Sequence, residues 1–217
     1  MRNRVLPFYV VCDESYSMTD HMDTLRARLR ELHDCVRTNP VVSTAVRFCL
    51  IGFADTPRLV VPLSAPRDLD DIGTFSTRAA SNFGAVFTLL RETIEQDVAE
   101  LRAQSYDIHQ PMVFFLSDGQ PTDPAIWQDP YARLIEPAWP DRPKIVAFGI
   151  GDADPVTIRA VGEFKAFVAD RHDTTPGEAL HQFTQVLANS MLSTGGTTAG
   201  RIPTQVRGYT ALSGNRC

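Results

Sequence analysis

No stretch of this 217-residue chain approaches the ~20 consecutive apolar residues that a membrane helix requires. The first apolar run, Val5 to Cys12, follows two arginines but is only about eight residues long. It ends on an acid and carries no small-residue cleavage pattern, so no secretory leader is expected and the expected location is the cytoplasm. Cysteine is sparse: Cys12, Cys35, Cys49 and Cys217 form no Cys-x-x-Cys pair and no metal-ligand spacing. Cys12 and Cys49 sit in apolar runs, where a free thiol behaves as a small hydrophobe, which fits a reducing compartment. No dense Lys/Arg block occurs, and 26 acids outnumber 21 bases for a net charge of −5, so a nucleic-acid partner is not expected. Arg26, Arg28 and Arg30 alternate around a predicted helix and read as a solvated face. Also missing are a Gly-x-Ser-x-Gly elbow, a Gly-x-Gly-x-x-Gly turn after the first strand and a Gly-x-x-x-x-Gly-Lys phosphate loop. The five histidines are scattered without a natural partner. Serine hydrolases, dinucleotide enzymes and P-loop nucleotidases are therefore disfavoured.

The composition is that of a globular protein with a substantial core, 43% hydrophobic and 22% charged. Val5–Cys12 is short, apolar and rich in valine and aromatics, as a strand buried on both faces of a parallel sheet should be. Met22, Leu25, Leu29, Leu32 and Val36 then recur at helical spacing, and Thr38-Asn39-Pro40 is a stop signal. Val46–Phe53 is a second buried strand, turned by Ala54-Asp55-Thr56-Pro57 into Arg58–Leu63, which should be antiparallel and at an edge. Ser81-Asn82 opens a long helix with Phe87, Leu90, Ile94, Val98 and Leu101 on its buried stripe. Strands at Met112–Leu116, Lys144–Gly151 and Phe164–Val168 alternate with helices near 124–135, 155–161 and 176–192. The order predicts a doubly wound α/β sheet of six strands, mostly parallel, with one antiparallel edge strand and helices on both faces. Residues 1–192 form the expected domain. Residues 193–217 form a Gly/Thr-rich extension, with a flexible linker over Ser193–Gly200 and an ordered or disordered course beyond.

In parallel sheets ligands gather beyond the carboxyl ends of the strands. There the chain presents Asp13, Ser15 and Ser17 after the first strand, and Ser117-Asp118-Gly119 after a later one. An acid and a serine after a strand are also common helix caps, so the weight rests on several strand ends agreeing. A carboxylate with two hydroxyls is a hard, all-oxygen ligand set that suits Mg²⁺, Mn²⁺ or Ca²⁺ better than zinc or copper. Asp152-Ala153-Asp154-Pro155 reads as a turn and helix cap, and Trp127 and Trp139 flank a Pro-rich loop assigned to the ligand edge.

Asp13-x-Ser15-x-Ser17, a small-small-hydroxyl turn at Ala79-Ala80-Ser81 before a helix carrying Gly84, and a strand ending in Ser-Asp-Gly together resemble a von Willebrand factor type A (vWA) domain with its metal-ion-dependent adhesion site. The resemblance covers roughly residues 5–192, and Ala147–Asp152 looks like the family's later strand with its Gly-Ile-Gly turn. Carried over, it implies that Ser15, Ser17 and Ser81 bind the ion through their hydroxyls and that Asp13 and Asp118 act directly or through water. Ala79 and Ala80 stand where the family usually has two glycines, and Ser81 where it usually has threonine. The resemblance implies no catalysis, but docking of a protein partner that offers an Asp or Glu to the ion. The Asp13-Glu14-Ser15-Tyr16-Ser17-Met18 segment is similar to that of short intracellular vWA proteins of bacterial tellurium-resistance clusters, which by analogy implies kinase-like or phosphatase-like neighbours.

The competing enzyme reading is a Mg²⁺-dependent phosphatase of haloacid-dehalogenase type, with Asp13 as nucleophile and Ser117, Lys144 and Asp152/Asp154 in support. That chemistry needs a carboxylate two residues after the nucleophile as general acid, and Ser15 occupies the position.

Overall fold

A computed structural model describes residues 4–75, 77–193 and 200–212. Among the described residues eight strands form one sheet: β1 (Arg4–Asp13), β2 (Val46–Phe53), β3 (Pro57–Ser64), β4 (Asp107–Ile108), β5 (Met112–Ser117), β6 (Lys144–Gly149), β7 (Lys165–Ala169) and β8 (Tyr209–Leu212). The spatial order is β3-β2-β1-β5-β6-β7-β8, with the two-residue β4 added beside the start of β1. The neighbours β2-β1-β5-β6-β7 pair in parallel, and β3 and β8 are antiparallel at the two edges. The sheet therefore has two strands and one antiparallel edge more than the sequence predicts. Both extra strands are short, and β8 carries two exposed residues in four, so neither leaves a periodic apolar signal.

Alternation along β1 sends Leu6, Phe8, Val10 and Cys12 into one apolar layer and Tyr9 and Val11 into the other. The first layer is closed by α1 (Thr19–Arg37) and α6 (Pro176–Leu192), the second by α3 (Phe83–Ala103), α4 (Gln128–Leu134) and α5 (Pro155–Val161). In the first layer Phe8, Phe114, Phe148 and Phe167 stack across four strands, with ring centroids 4.6, 6.4 and 5.1 Å apart in turn. These aromatic pairs add to the burial of their area and lock the register of the central strands.

Helix ends follow local chemistry. Thr175 and Glu178 form a reciprocal capping box at the start of α6, with Pro176 in the first turn. Asp154 accepts the Val156 and Thr157 amides at the start of α5, as the sequence predicts. The stop at Asn39-Pro40 is also a start: Asn39 caps a short helix, α2 (Pro40–Ala45), that Pro40 opens. Beyond α6, Ile202, Val206 and Tyr209 are buried against the sheet and α6, and Tyr209 donates its hydroxyl proton to the Ala179 carbonyl at 3.0 Å. Residues 194–199 of the linker, and Cys217, lie outside the described residues. Cys12, Cys35 and Cys49 are free thiols, the first and last buried and Cys35 exposed.

Trp127 and Trp139 are both buried in the layer with α3 and α4. Trp139 belongs to the opposite edge from the one assigned to it. It precedes β6, whose first residue pairs with the first residue of β5, and the Arg91 guanidinium covers its ring at 4.4 Å.

Candidate functional site

β1 and β5 are neighbours and end together, which brings the Asp13–Met18 and Ser117–Asp118 segments to one rim. Asp13 is fully buried and is held from three sides. Its Oδ1 accepts the Ser15 amide at 2.8 Å and the Ser81 hydroxyl at 3.4 Å, and its Oδ2 accepts the Ser117 hydroxyl at 2.6 Å. The Ser15 and Ser17 hydroxyls lie 3.0 Å apart, and Ser17 donates to Asp118 Oδ1 at 2.8 Å. A Cβ on Gly119 would lie 3.7 Å from Ser17 Oγ and 3.8 Å from Ser81 Oγ, so these two hydroxyls face the same small space. The five residues singled out in the sequence, Asp13, Ser15, Ser17, Ser81 and Asp118, are thus linked through one chain of contacts.

Burial is the first cause of the site's electrostatics. It pushes the Asp13 carboxyl up to about 6, although hydrogen bonds from Ser117 and Ser15 pull the other way. Asp118 is raised as well, again by burial first, with the Ser17 hydrogen bond and His21 opposing. Two buried carboxylates, bonded by hydroxyls and an amide and with Ser17 exposed beside them, are short of positive charge. The oxygen donors fit a hard cation. Each hydroxyl directs its proton toward a carboxylate or a neighbouring serine, which leaves oxygen lone pairs for an ion. Among the described residues no group of three or more His, Cys, Asp and Glu side chains is placed to hold a metal, so a soft, thiolate- or imidazole-rich centre is not present there.

The loops that deliver these groups are held by contacts the motif does not contain. Ser81 comes from a turn in which Ala80 has φ +76°, the left-handed region that favours glycine. That turn is fastened to the loop after β5: Thr122 donates its amide to the Ser81 carbonyl at 3.0 Å, and Ser81 donates its own to Thr122 Oγ1 at 3.3 Å. Asp123 then accepts the Phe83 and Gly84 amides at 3.0 and 2.7 Å and caps α3 beside the Asn82 side chain. A Cβ at position 84 would meet Asp123 Oδ2 at 2.7 Å, so the carboxylate's close approach needs glycine there. Gly151, with φ +55°, brings the turn after β6 against Asp118.

Four further residues that the sequence motif does not name support the site. In the sequence Ser117 is only a strand end or a phosphatase hydroxyl, yet it makes the shortest bond to Asp13. Its place at the last position of a buried strand was the available signal. Glu14, between two candidate ligands, is 1% exposed and paired with Arg58. A carboxylate at a buried strand end demands a cation, but nothing local says which one. Thr122 and Asp123 act on a segment about forty residues earlier and leave no local pattern. Of the supports a phosphatase would need, Ser117 reaches Asp13 but Lys144 does not. Lys144 opens β6, five residues before the Gly149 that pairs with Ser117, roughly 17 Å along a strand.

The family model for the von Willebrand factor type A domain matches residues 8–185. Among solved structures, proximal thread matrix protein 1 from the mussel byssus is 15% identical with a TM-score of 0.61, over 88% of this chain and 49% of that one. A von Willebrand factor type A protein from Catenulispora acidiphila is 14% identical with a TM-score of 0.60, over 87% and 43%. The pilus adhesin SpaC from Lactobacillus rhamnosus GG is 12% identical with a TM-score of 0.63, over 88% and 30%. At these identities the likeness is one of fold, and the chain spans half or less of the length of each. No curated protein matches it in sequence. Sheet order, the Asp-x-Ser-x-Ser strand end and the match over most of the chain agree: this chain belongs to the von Willebrand factor type A domain family.

Proposed function

We propose that the protein is a metal-dependent protein-interaction module, in which Asp13, Ser15, Ser17, Ser81 and Asp118 hold a divalent ion, Mg²⁺ or its hard relatives Mn²⁺ and Ca²⁺. The observation that carries this reading is the convergence of three serine hydroxyls and two buried carboxylates, from three separate strand ends or turns, on one recess. Bound there, the ion would supply an electrophilic coordination position for an Asp or Glu carboxylate on a partner. The chain's own residues do the rest. Asp13 and Asp118 set the charge, and Ser117 and the Ser15 amide fix the Asp13 carboxylate. The neutral serine oxygens leave the ion's charge incompletely offset. Ser15 stands where a phosphatase needs its general acid, which supports binding over turnover.

Among the described residues no helix is long and apolar enough to cross a membrane. We infer a cytoplasmic setting from the free thiols, in keeping with the likeness of Asp13–Met18 to tellurium-resistance-cluster proteins. That likeness rests on six residues and would make kinase-like or phosphatase-like neighbours the partners to try first.

A crystal soaked in Mn²⁺ and acetate tests the reading. The expected result is an anomalous peak within about 2.0–2.6 Å of the serine oxygens, with acetate or water completing the shell. No peak, or an ion wholly enclosed by protein ligands, contradicts it.

A further inference from the structure

We propose that the Glu14–Arg58 ion pair is the clamp that holds the two serine-bearing segments of the site in register, which makes Arg58 a positioning residue for the ion. The proposal rests on the metal reading above. Glu14 lies between Asp13 and Ser15, and its side chain is almost wholly buried. Its carboxylate is laid against β2 so closely that a Cβ on Gly52 would be 2.5 Å from the carboxyl carbon. Only glycine at position 52 admits it. Arg58, on the edge strand β3, meets it with a fork: Nε donates to Oε2 at 3.1 Å and Nη2 to Oε1 at 2.5 Å.

The same guanidinium reaches a second segment. Nη2 also donates to the Thr74 carbonyl at 2.6 Å, in the loop that leads to Ser81. The backbone of Glu14 makes a parallel connection. Its amide donates to the Phe53 carbonyl at 2.7 Å, and its carbonyl accepts the Arg78 amide at 2.9 Å. Arg78 is three residues before Ser81, and it forms an isolated parallel bridge with Ser15. One residue and its partner thus join the segment bearing Asp13, Ser15 and Ser17 to the segment bearing Ser81.

Stability alone does not account for such an arrangement. A buried ion pair is often replaceable by apolar groups at no net loss, because desolvating the charges offsets their attraction. Geometry is what it supplies here, since a guanidinium fixes two acceptors in one plane while an apolar replacement fixes none. It also neutralises a third carboxylate next to Asp13, so that the charge facing an ion is that of Asp13 and Asp118.

Arg58→Met alone strands a buried carboxylate and endangers the fold, so the decisive variant is the double Glu14→Gln/Arg58→Met, matched to wild type by its urea midpoint. Mn²⁺ affinity is measured by calorimetry, and amide hydrogen exchange is followed in chelator. The expected result is affinity lower by about 10–100-fold, as when a group orienting a metal ligand is lost. In chelator the Ser15 and Arg78 amides should exchange faster, while those of Val113 and Phe114 in β5 stay unchanged. Affinity equal to that of wild type overturns the proposal. A wild-type protein that binds no Mn²⁺ contradicts the metal reading instead. The exchange data then decide the clamp: faster exchange at Ser15 and Arg78 supports it, and unchanged exchange overturns it.

Discussion

Ala80 carries the clearest local strain next to the site. An L-residue in the left-handed region loses about 1–2 kcal/mol to contact between its Cβ and the following carbonyl, and Ala80 is held there at φ +76°. The position persists because its neighbours over-determine it: Ser81 is bonded to Thr122 in both directions, and the Asn82 amide donates to the Ala54 carbonyl at 2.8 Å. Ala80→Gly removes the strain but adds freedom to the unfolded chain, which offsets about 0.4–1 kcal/mol of the gain. The net expectation is a protein more stable by about 0.5–1 kcal/mol, seen as a higher urea midpoint with an unchanged slope. A lower midpoint would mean that the Ala80 methyl group stabilises the turn by packing, and that the turn is not strained.

Among the elements, α3 begins on a residue far from it in sequence. Its first two amides, those of Phe83 and Gly84, both end on the Asp123 carboxylate, which is 9% exposed. The negative charge also lies at the positive end of a 21-residue helix. Asp123→Ala leaves two buried donors without an acceptor, a loss of about 3 kcal/mol. For a protein this size the melting temperature should fall by about 6–12 °C. Asp123→Asn, which keeps one acceptor oxygen, should fall less. An Ala variant that melts with the wild type would show that Asn82 alone is a sufficient cap.

This dependence also explains how far the sequence could be read. β1, β2, β5 and β6 announce themselves as apolar runs and α1 and α3 as periodic stripes, because their signals are local. Asp13, Ser15 and Ser17 are legible for the same reason, being three positions of one strand end. Asp123 and Phe83 are 40 residues apart and Glu14 and Arg58 are 44 apart, so only the folded sheet brings them together. β8 is not legible in the sequence because a four-residue edge strand with half its side chains exposed looks like any polar segment. Trp139 lies at the edge opposite to the one its sequence position suggests, because the connection from α4 to β6 returns the chain to the start of the strands.

At the scale of the whole molecule, the sheet collects its buried negative charge at one rim. Asp13 and Asp118 both have raised pKa values there, so holding them ionised works against the fold when no cation is bound. An ion that binds only the folded state stabilises it by mass action. For a millimolar dissociation constant, about 10 mM Mg²⁺ contributes roughly 1.4 kcal/mol, or about 3–6 °C in melting temperature. Asp118→Ala removes a ligand and relieves the repulsion together, so without metal the variant should melt at or above the wild type.

The most direct measurement is therefore the melting temperature of wild type and Asp118→Ala, each in chelator and in about 10 mM Mg²⁺. The account predicts a rise in the wild type and none in the variant. An equal rise in both, or no rise in either, would contradict a divalent ion at Asp13, Ser15, Ser17, Ser81 and Asp118.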